Sequence, residues 1–336
     1  MVATTDPAEA AEGAGLRYVS DEDPGIRRIR AGSGFRYQRA NGDPASDRDK
    51  ARISALVIPP AWTDVWICPS PKGHIQAVGR DDAGRKQYLY HPRWTEVRDA
   101  EKFENLAAFG QCLPSLREQI DADLRRRGLP RERVLALVAR LLDDTLIRVG
   151  NEASTARDSF GLTTIESRHV DVEGSAVAFD FTGKSSVEHH VDLRDQQLAR
   201  LVQACDDADG EQLFCYLEDD EVVDVTSDDV NGYLRAHGGE AISARDFRTW
   251  GGTVTIVRDL GPLGHEEPTT SAFLAAVDVA AERLGNTRTV CRASYIHPAI
   301  EPAYESGELA SAWSASRRSS RYTRAERATL RLLDPA

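Results

Sequence analysis

The period of the apolar residues changes once along this chain, near residue 92, and that change limits the fold more than any other feature. Before it lie short segments, Gly34-Phe-Arg-Tyr-Gln38, Val65-Trp-Ile-Cys68, His74-Ile-Gln-Ala-Val78 and Lys86-Gln-Tyr-Leu-Tyr90, separated by Gly, Asp, Pro and Asn clusters. Side chains alternate across a strand, so these segments predict a small antiparallel sheet. After it, apolar residues return at i, i+3 and i+4. Helices are predicted over Pro114 to Arg127 and Arg131 to Val149, the second with Val134, Leu137, Val138, Leu141 and Leu142 on one face. One interruption, Thr163 to Val191, contains Val177-Ala-Phe-Asp-Phe181, Thr182-Gly-Lys184 and Glu188-His-His-Val191 and predicts a hairpin. Helices resume over Gln196 to Cys205, from the capping box at Ser243-x-x-Asp246 to about Leu260, and over Thr270 to Leu284.

The expected class is α+β, with a small antiparallel β-rich N-terminal domain and a larger, mainly α-helical domain containing a small sheet. The 336 residues suffice for about two domains. Expected boundaries are an acidic leader over 1–25 with no structure assigned, the β-rich domain over 26–92 and the helical domain over 93–336.

Several function classes lose support at once. No apolar run approaches the roughly 18 residues of a membrane span. Met1 to Pro7 carries no basic stretch leading into an apolar one, so a cytoplasmic protein is expected. The five cysteines, Cys68, Cys112, Cys205, Cys215 and Cys291, are odd in number and show no C-x-x-C spacing, which disfavours a disulfide scaffold and a zinc site. His189 and His190 are adjacent, but neighbours on a strand point to opposite faces, so a shared metal is not expected there. Gly183-Lys-Ser185 lacks the first glycine of a phosphate loop, and no G-x-S-x-G elbow or dinucleotide fingerprint occurs. No cofactor is expected.

The net charge of -12 argues against a polyanionic partner only if it is spread evenly. It is not. Residues 1–23 and 206–229 together hold seventeen acids and one base, which leaves the rest of the chain weakly positive. Basic clusters occur at Arg125, Arg126, Arg127, Arg131 and Arg133, and at Arg317, Arg318, Arg321 and Arg324. The acidic 206–229 stretch is expected on the outer surface, away from any polyanion.

Basic residues also stand in tightly patterned local sequences: Leu146-Ile-Arg148-Val-Gly-Asn-Glu, Phe181-Thr-Gly-Lys184-Ser and Arg245-Asp-Phe-Arg248-Thr-Trp250. They are followed by a tyrosine in Cys291-Arg-Ala-Ser-Tyr295-Ile-His-Pro298. In this order and spacing the segments resemble type IB DNA topoisomerases of the small poxvirus-like kind found in bacteria. Ile58-Pro-Pro-Ala-Trp62, Gly79 to Tyr90, Ser159-Phe-Gly-Leu-Thr163 and Asn286 to Pro298 extend the resemblance over nearly the whole chain.

The resemblance implies a helical catalytic domain of the kind shared by tyrosine recombinases and these topoisomerases. It implies double-stranded DNA as partner, a monomer, a location at the nucleoid, and a clamp formed by two domains around the duplex. It also implies that Tyr295 attacks a DNA phosphodiester and forms a 3′-phosphotyrosyl intermediate, so that resealing needs neither ATP nor metal. Arg148 and Arg248 would stabilise the charge on the nonbridging oxygens, and Lys184 would protonate the leaving 5′-oxygen. The viral and eukaryotic pattern has a histidine nine residues before the tyrosine, where this chain has Asn286, a hydrogen-bond donor that cannot exchange protons. Gln87, Tyr88 and Tyr90 match a segment that touches DNA; the alternative is that the two tyrosines pack inward on one strand face. Ser154 replaces the tyrosine that viral members carry six residues after the first arginine, which implies relaxed sequence preference.

Two rivals differ in class. A tyrosine recombinase would use the same residues, but those enzymes usually have histidine where this chain has Arg245, and their N-terminal domain is helical. Arg245 is taken as a DNA-binding candidate. A noncatalytic DNA-binding protein would not need Arg148, Lys184, Arg248 and Tyr295 together.

Overall fold

A computed structural model describes residues 7–334 apart from 33, 83, 151–158, 185, 209, 220 and 265–266, and the side chains of 98–102 are also outside it. Ser154 therefore lies outside the described residues. The chain divides into two compact units, Met1–Lys102 and Phe103–Ala336.

In the first unit five antiparallel strands, β1 (Ile26–Ala31), β2 (Gly34–Gln38), β3 (Thr63–Ile67), β4 (Ile75–Arg80) and β5 (Lys86–Tyr90), form one sheet in the order β2-β1-β3-β4-β5. The run Val65-Trp-Ile-Cys68 is apolar on both faces, which makes β3 a strand that must be covered twice. On one face Val65 and Ile67 pack with Ile26, Ala77 and Ile53 of the helix Asp47–Ala55. On the other, Trp66, Cys68, Ile75 and Val78 need a second cover.

That cover comes from the segment assigned no structure, and here the reading of 1–25 as an unstructured leader is corrected for residues 7–25. Val19 lies on the second face, Trp66 Nε1 donates to the Asp23 carbonyl at 2.9 Å, and the Val19 amide donates to His74 Nδ1 at 3.1 Å. Upstream, the helix Pro7–Gly13 packs Ala10 and Ala11 with Leu16 and Trp94. The missed signal is the apolar run, since burying a side chain as large as Trp66 stabilises by about 2–3 kcal/mol.

The second unit is mainly helical. The helix Leu106–Leu124 begins earlier than expected and contains Pro114, because Leu106, Phe109, Leu113, Leu116 and Ile120 form one buried stripe that tolerates a missing backbone donor. The helix Arg131–Thr145 is the buried axis of the core. It stops short of the predicted Val149, at Leu146 in the left-handed region with φ 59°. A three-stranded antiparallel sheet, β6 (Val170–Glu173), β7 (Ala176–Gly183) and β8 (Val187–Arg194), stands where a hairpin was predicted. The acidic stretch contains a hairpin, β9 (Cys215–Glu218) with β10 (Glu221–Asp224), and buries Leu213, Phe214 and Cys215. It is thus only partly an outer surface. Its Asp229 caps the helix Ser227–Gly238 and pairs with Arg131. The helices Ala244–Leu260, Thr270–Leu284 and Arg288–Tyr295 follow.

Candidate active site

Arg148 owes its position to the end of the Arg131–Thr145 helix. A leucine in the left-handed region is strained by about 1–3 kcal/mol, and no glycine marks the stop. The strain is held by packing: the Leu146 side chain is buried, and its carbonyl accepts from Arg248 Nη1. The chain leaves the helix two residues before Arg148, whose Nη2 donates to Asn286 Oδ1 at 2.7 Å.

Arg248 joins three segments. It lies on the Ala244–Leu260 helix, which opens with the Ser243 amide and hydroxyl both donating to Asp246 Oδ2, at 2.7 and 2.9 Å. Only 3% exposed, it donates through Nη2 to the Leu284 carbonyl at 2.7 Å, and its guanidinium carbon stands 5.0 Å from the Tyr295 ring centroid. Burial, with the Arg148 charge adding, pushes its pKa down to about 10, so it stays charged at neutral pH. One turn further, Gly252 lets Tyr295 come close: a Cβ there would meet the Tyr295 carbonyl oxygen at 2.8 Å. The Thr253 hydroxyl donates to that same carbonyl at 3.2 Å.

Tyr295 ends the Arg288–Tyr295 helix, which is capped by Thr287 directly after Asn286. Burial alone would raise its phenol pKa. Arg248, Arg148 and Arg245 outweigh burial and hold it below the ordinary value. Arg245 is exposed, one turn before Arg248, and reaches the phenol through its charge.

Two donors at this point have no partner among the described residues, Arg248 Nε and Asn286 Nδ2, and both atoms are buried. A buried N–H without an acceptor costs about 1–3 kcal/mol, so these two donors suit a ligand rich in acceptors. Lys184 stands exposed at the β7–β8 turn. His189, singled out in sequence only as a poor metal ligand, faces inward on β8 and feels the charges of Arg148 and Arg248. Its neighbour His190 points out and pairs with Asp180 and Asp192. Strand alternation separates the two histidines, but only the tertiary contacts identify the one that faces the arginines.

In the first unit β5 alternates in the same way. Tyr88 and Tyr90 are 39% and 46% exposed and stack at 5.8 Å, so the reading in which they pack inward is corrected. Gln87 occupies the opposite face and donates to Asp81 at 2.8 Å. The three residues therefore do not share one surface.

Comparisons with known proteins agree with a DNA topoisomerase. Residues 91–307 match the family model described as eukaryotic DNA topoisomerase I, catalytic core, and residues 34–81 match that of the bacterial DNA topoisomerase IB, N-terminal domain. Arg148, Lys184, Arg248, Asn286 and Tyr295 fall in the first range, whereas Gln87, Tyr88 and Tyr90 lie between the two. Among relatives, DNA topoisomerase 1B of Acanthamoeba polyphaga mimivirus is 30% identical over 243 residues, covering 70% of this chain and 72% of that one. DNA topoisomerase 1B of Vaccinia virus (strain Copenhagen) is 22% identical over 276 residues, covering 77% and 83%. The chain belongs to the type IB DNA topoisomerase family, and it is a DNA-binding isomerase of that kind. Among the described residues no helix is long and apolar enough to cross a membrane.

Proposed function

We propose that this enzyme relaxes supercoiled duplex DNA by transient cleavage of one strand, without ATP or metal, through a 3′-phosphotyrosyl intermediate. Tyr295 Oη bonds to phosphorus while the P–O5′ bond breaks, the phenol proton passes to water, and the Lys184 ammonium gives a proton to O5′. Religation runs the same step backward, so the bond energy is conserved. Arg148, Arg248 and Asn286 bind the nonbridging oxygens as they gain charge, and arginine suits the task through its fixed charge and forked donors. Residues 26–92 form the DNA-clamp arm and 93–336 the catalytic part, built on the helical fold shared with tyrosine recombinases. Tyr88, Tyr90 and Arg245 are the DNA contacts around it, with Gln87 bracing β5 through Asp81 on the opposite strand face, and the enzyme works as a monomer at the nucleoid in the cytoplasm.

The observation that carries this reading is a phenol made more acidic by three arginines, one of which, Arg148, bonds Asn286, together with two buried donors, Arg248 Nε and Asn286 Nδ2, that have no partner among the described residues. A phosphodiester offers acceptors to both donors. The test is relaxation of supercoiled plasmid in EDTA without ATP, comparing wild type with Tyr295→Phe. Wild type is expected to relax both supercoil signs, and the variant to bind DNA without forming a covalent adduct. Relaxation by Tyr295→Phe would remove the phenol from the mechanism.

A further inference from the structure

His189 belongs to no role assigned so far, yet it occupies the contact between the two halves of the site. Its ring stacks flat on Phe181, at 4.9 Å between centroids and 6° between planes. Phe181 and His189 are register partners on β7 and β8, so both point to the inward face of the hairpin. Other residues of β8 on that face are Val187, Val191 and Leu193. An aliphatic side chain at 189 would continue that row, and an imidazole instead stands where the row meets two arginines.

Two glycines grip the edge of this ring. A Cβ at Gly183 would lie 2.6 Å from both Cδ2 and Nε2 of His189, and one at Gly285 would lie 2.1 Å from Cε1. Gly183 immediately precedes Lys184 on the exposed turn, and Gly285 immediately precedes Asn286. The Gly285 amide is fixed by the end of the Thr270–Leu284 helix, donating to the Glu282 carbonyl at 3.0 Å. The ring is therefore a spacer between a rigid corner and a hairpin tip that has no core of its own. Burial, then the charges of Arg148 and Arg248, hold the imidazole below its ordinary pKa, so the spacer adds no third cation beside the guanidinium groups.

We propose that His189 is a positioning residue for strand cleavage: its ring sets the β7–β8 turn against the Gly285–Asn286 corner and so places Lys184 Nζ at the leaving 5′-oxygen. The inference rests on the reading of Lys184 as general acid. Displacing a proton donor by about 1 Å costs on the order of 100-fold in rate, which is enough to make a remote spacer matter.

The test uses single-turnover cleavage of a duplex with either oxygen or sulfur at the scissile 5′ bridging position. When sulfur leaves, the P–S bond breaks and a thiolate departs unprotonated, because thiols have pKa values near 8.5 and need no acid. Lys184→Ala is expected to be slow on the oxygen substrate and near wild type on the sulfur one. Should sulfur not rescue Lys184→Ala, the general-acid reading itself falls.

His189→Ala is expected to cleave the oxygen substrate about 10- to 100-fold slower than wild type and the sulfur substrate within about threefold of it. Equal slowing on both substrates, with Lys184→Ala rescued, would overturn the proposal, since damage to the fold or to phosphate binding is blind to the leaving atom. A second variant covers the case of poor folding. Gly183→Ala adds a methyl into the ring edge and should show the same sulfur-rescued defect, and the Gly183→Ala/His189→Ala pair should be no slower than His189→Ala. A Gly183→Ala enzyme at wild-type rate on oxygen would also overturn it.

Discussion

The two units hold the side chains proposed to meet DNA in opposite ways. On β5 the tyrosines stand in solvent, Tyr88 at 39% and Tyr90 at 46% exposure, and the strand beneath them is held by Leu89 and its neighbours. At the active site Arg248 is 3% exposed and two of its nitrogens donate to the Leu146 and Leu284 carbonyls. Residues of the first kind can be changed with little effect on the fold. Those of the second kind are framework and chemistry together, because a donor aimed without reorganisation must be fixed by the groups around it.

The sharpest way to break this contrast is Arg248→Ala. It removes a cation from the reacting phosphate and leaves two buried carbonyls without their donor. Cleavage is expected to fall by at least about 10²–10³-fold. The same change should destabilise by about 2 kcal/mol, read as a Tm lower by several degrees. A variant that loses activity with an unchanged Tm would show that the guanidinium is not part of the frame.

The counterpart is Tyr88→Ala with Tyr90→Ala, which should weaken DNA binding roughly tenfold, equal to about 1.4 kcal/mol, and leave Tm and the cleavage rate at saturating DNA nearly unchanged. Binding titrations at two salt concentrations, with calorimetry alongside, check this. A loss of several degrees in Tm would place the tyrosines in the frame after all.

Asn286→His should stay within about tenfold of wild type in single-turnover cleavage, since one neutral donor replaces another and the hydrogen bond that Asn286 Oδ1 accepts from Arg148 is the main loss. Complete inactivity would show that only an amide can hold Arg148 here. The smallest effect belongs to Arg245→Gln. Its charge helps lower the Tyr295 phenol pKa, so removing it raises that pKa and moves the rising limb of the pH–rate profile to higher pH. A limb that moves down or stays would exclude Arg245 from the field at the phenol.

Local chemistry made part of this structure legible before any contact was known. The helix Thr270–Leu284 follows from its own apolar spacing, and the Ser243–Asp246 box starts the next helix upstream at the expected place. Arg148, Lys184, Arg248 and Tyr295 stand out as candidates through their neighbours in sequence, and the fold brings Arg148, Arg248 and Tyr295 together. The stop at Leu146 was not, because nothing in the Arg131 to Val149 spacing marks it; a carbonyl accepting from Arg248 in a distant helix decides it. Residues 7–25 were misjudged for a related reason. Their composition is that of a solvated tail, and their order comes from the second apolar face of β3.

The chain by itself determines where strands give way to helices, which cations and which tyrosine are present, and that Asn286 stands nine residues before Tyr295. These are matters of period and residue type, set by neighbours a few positions away. Only the tertiary structure decided that Arg248 is buried as a hub, that Gln87 turns away from Tyr88 and Tyr90, and that His189 rather than His190 meets the arginines. Those outcomes depend on burial and on charges contributed by segments far apart in sequence, and no local pattern of residues encodes the field that they create together.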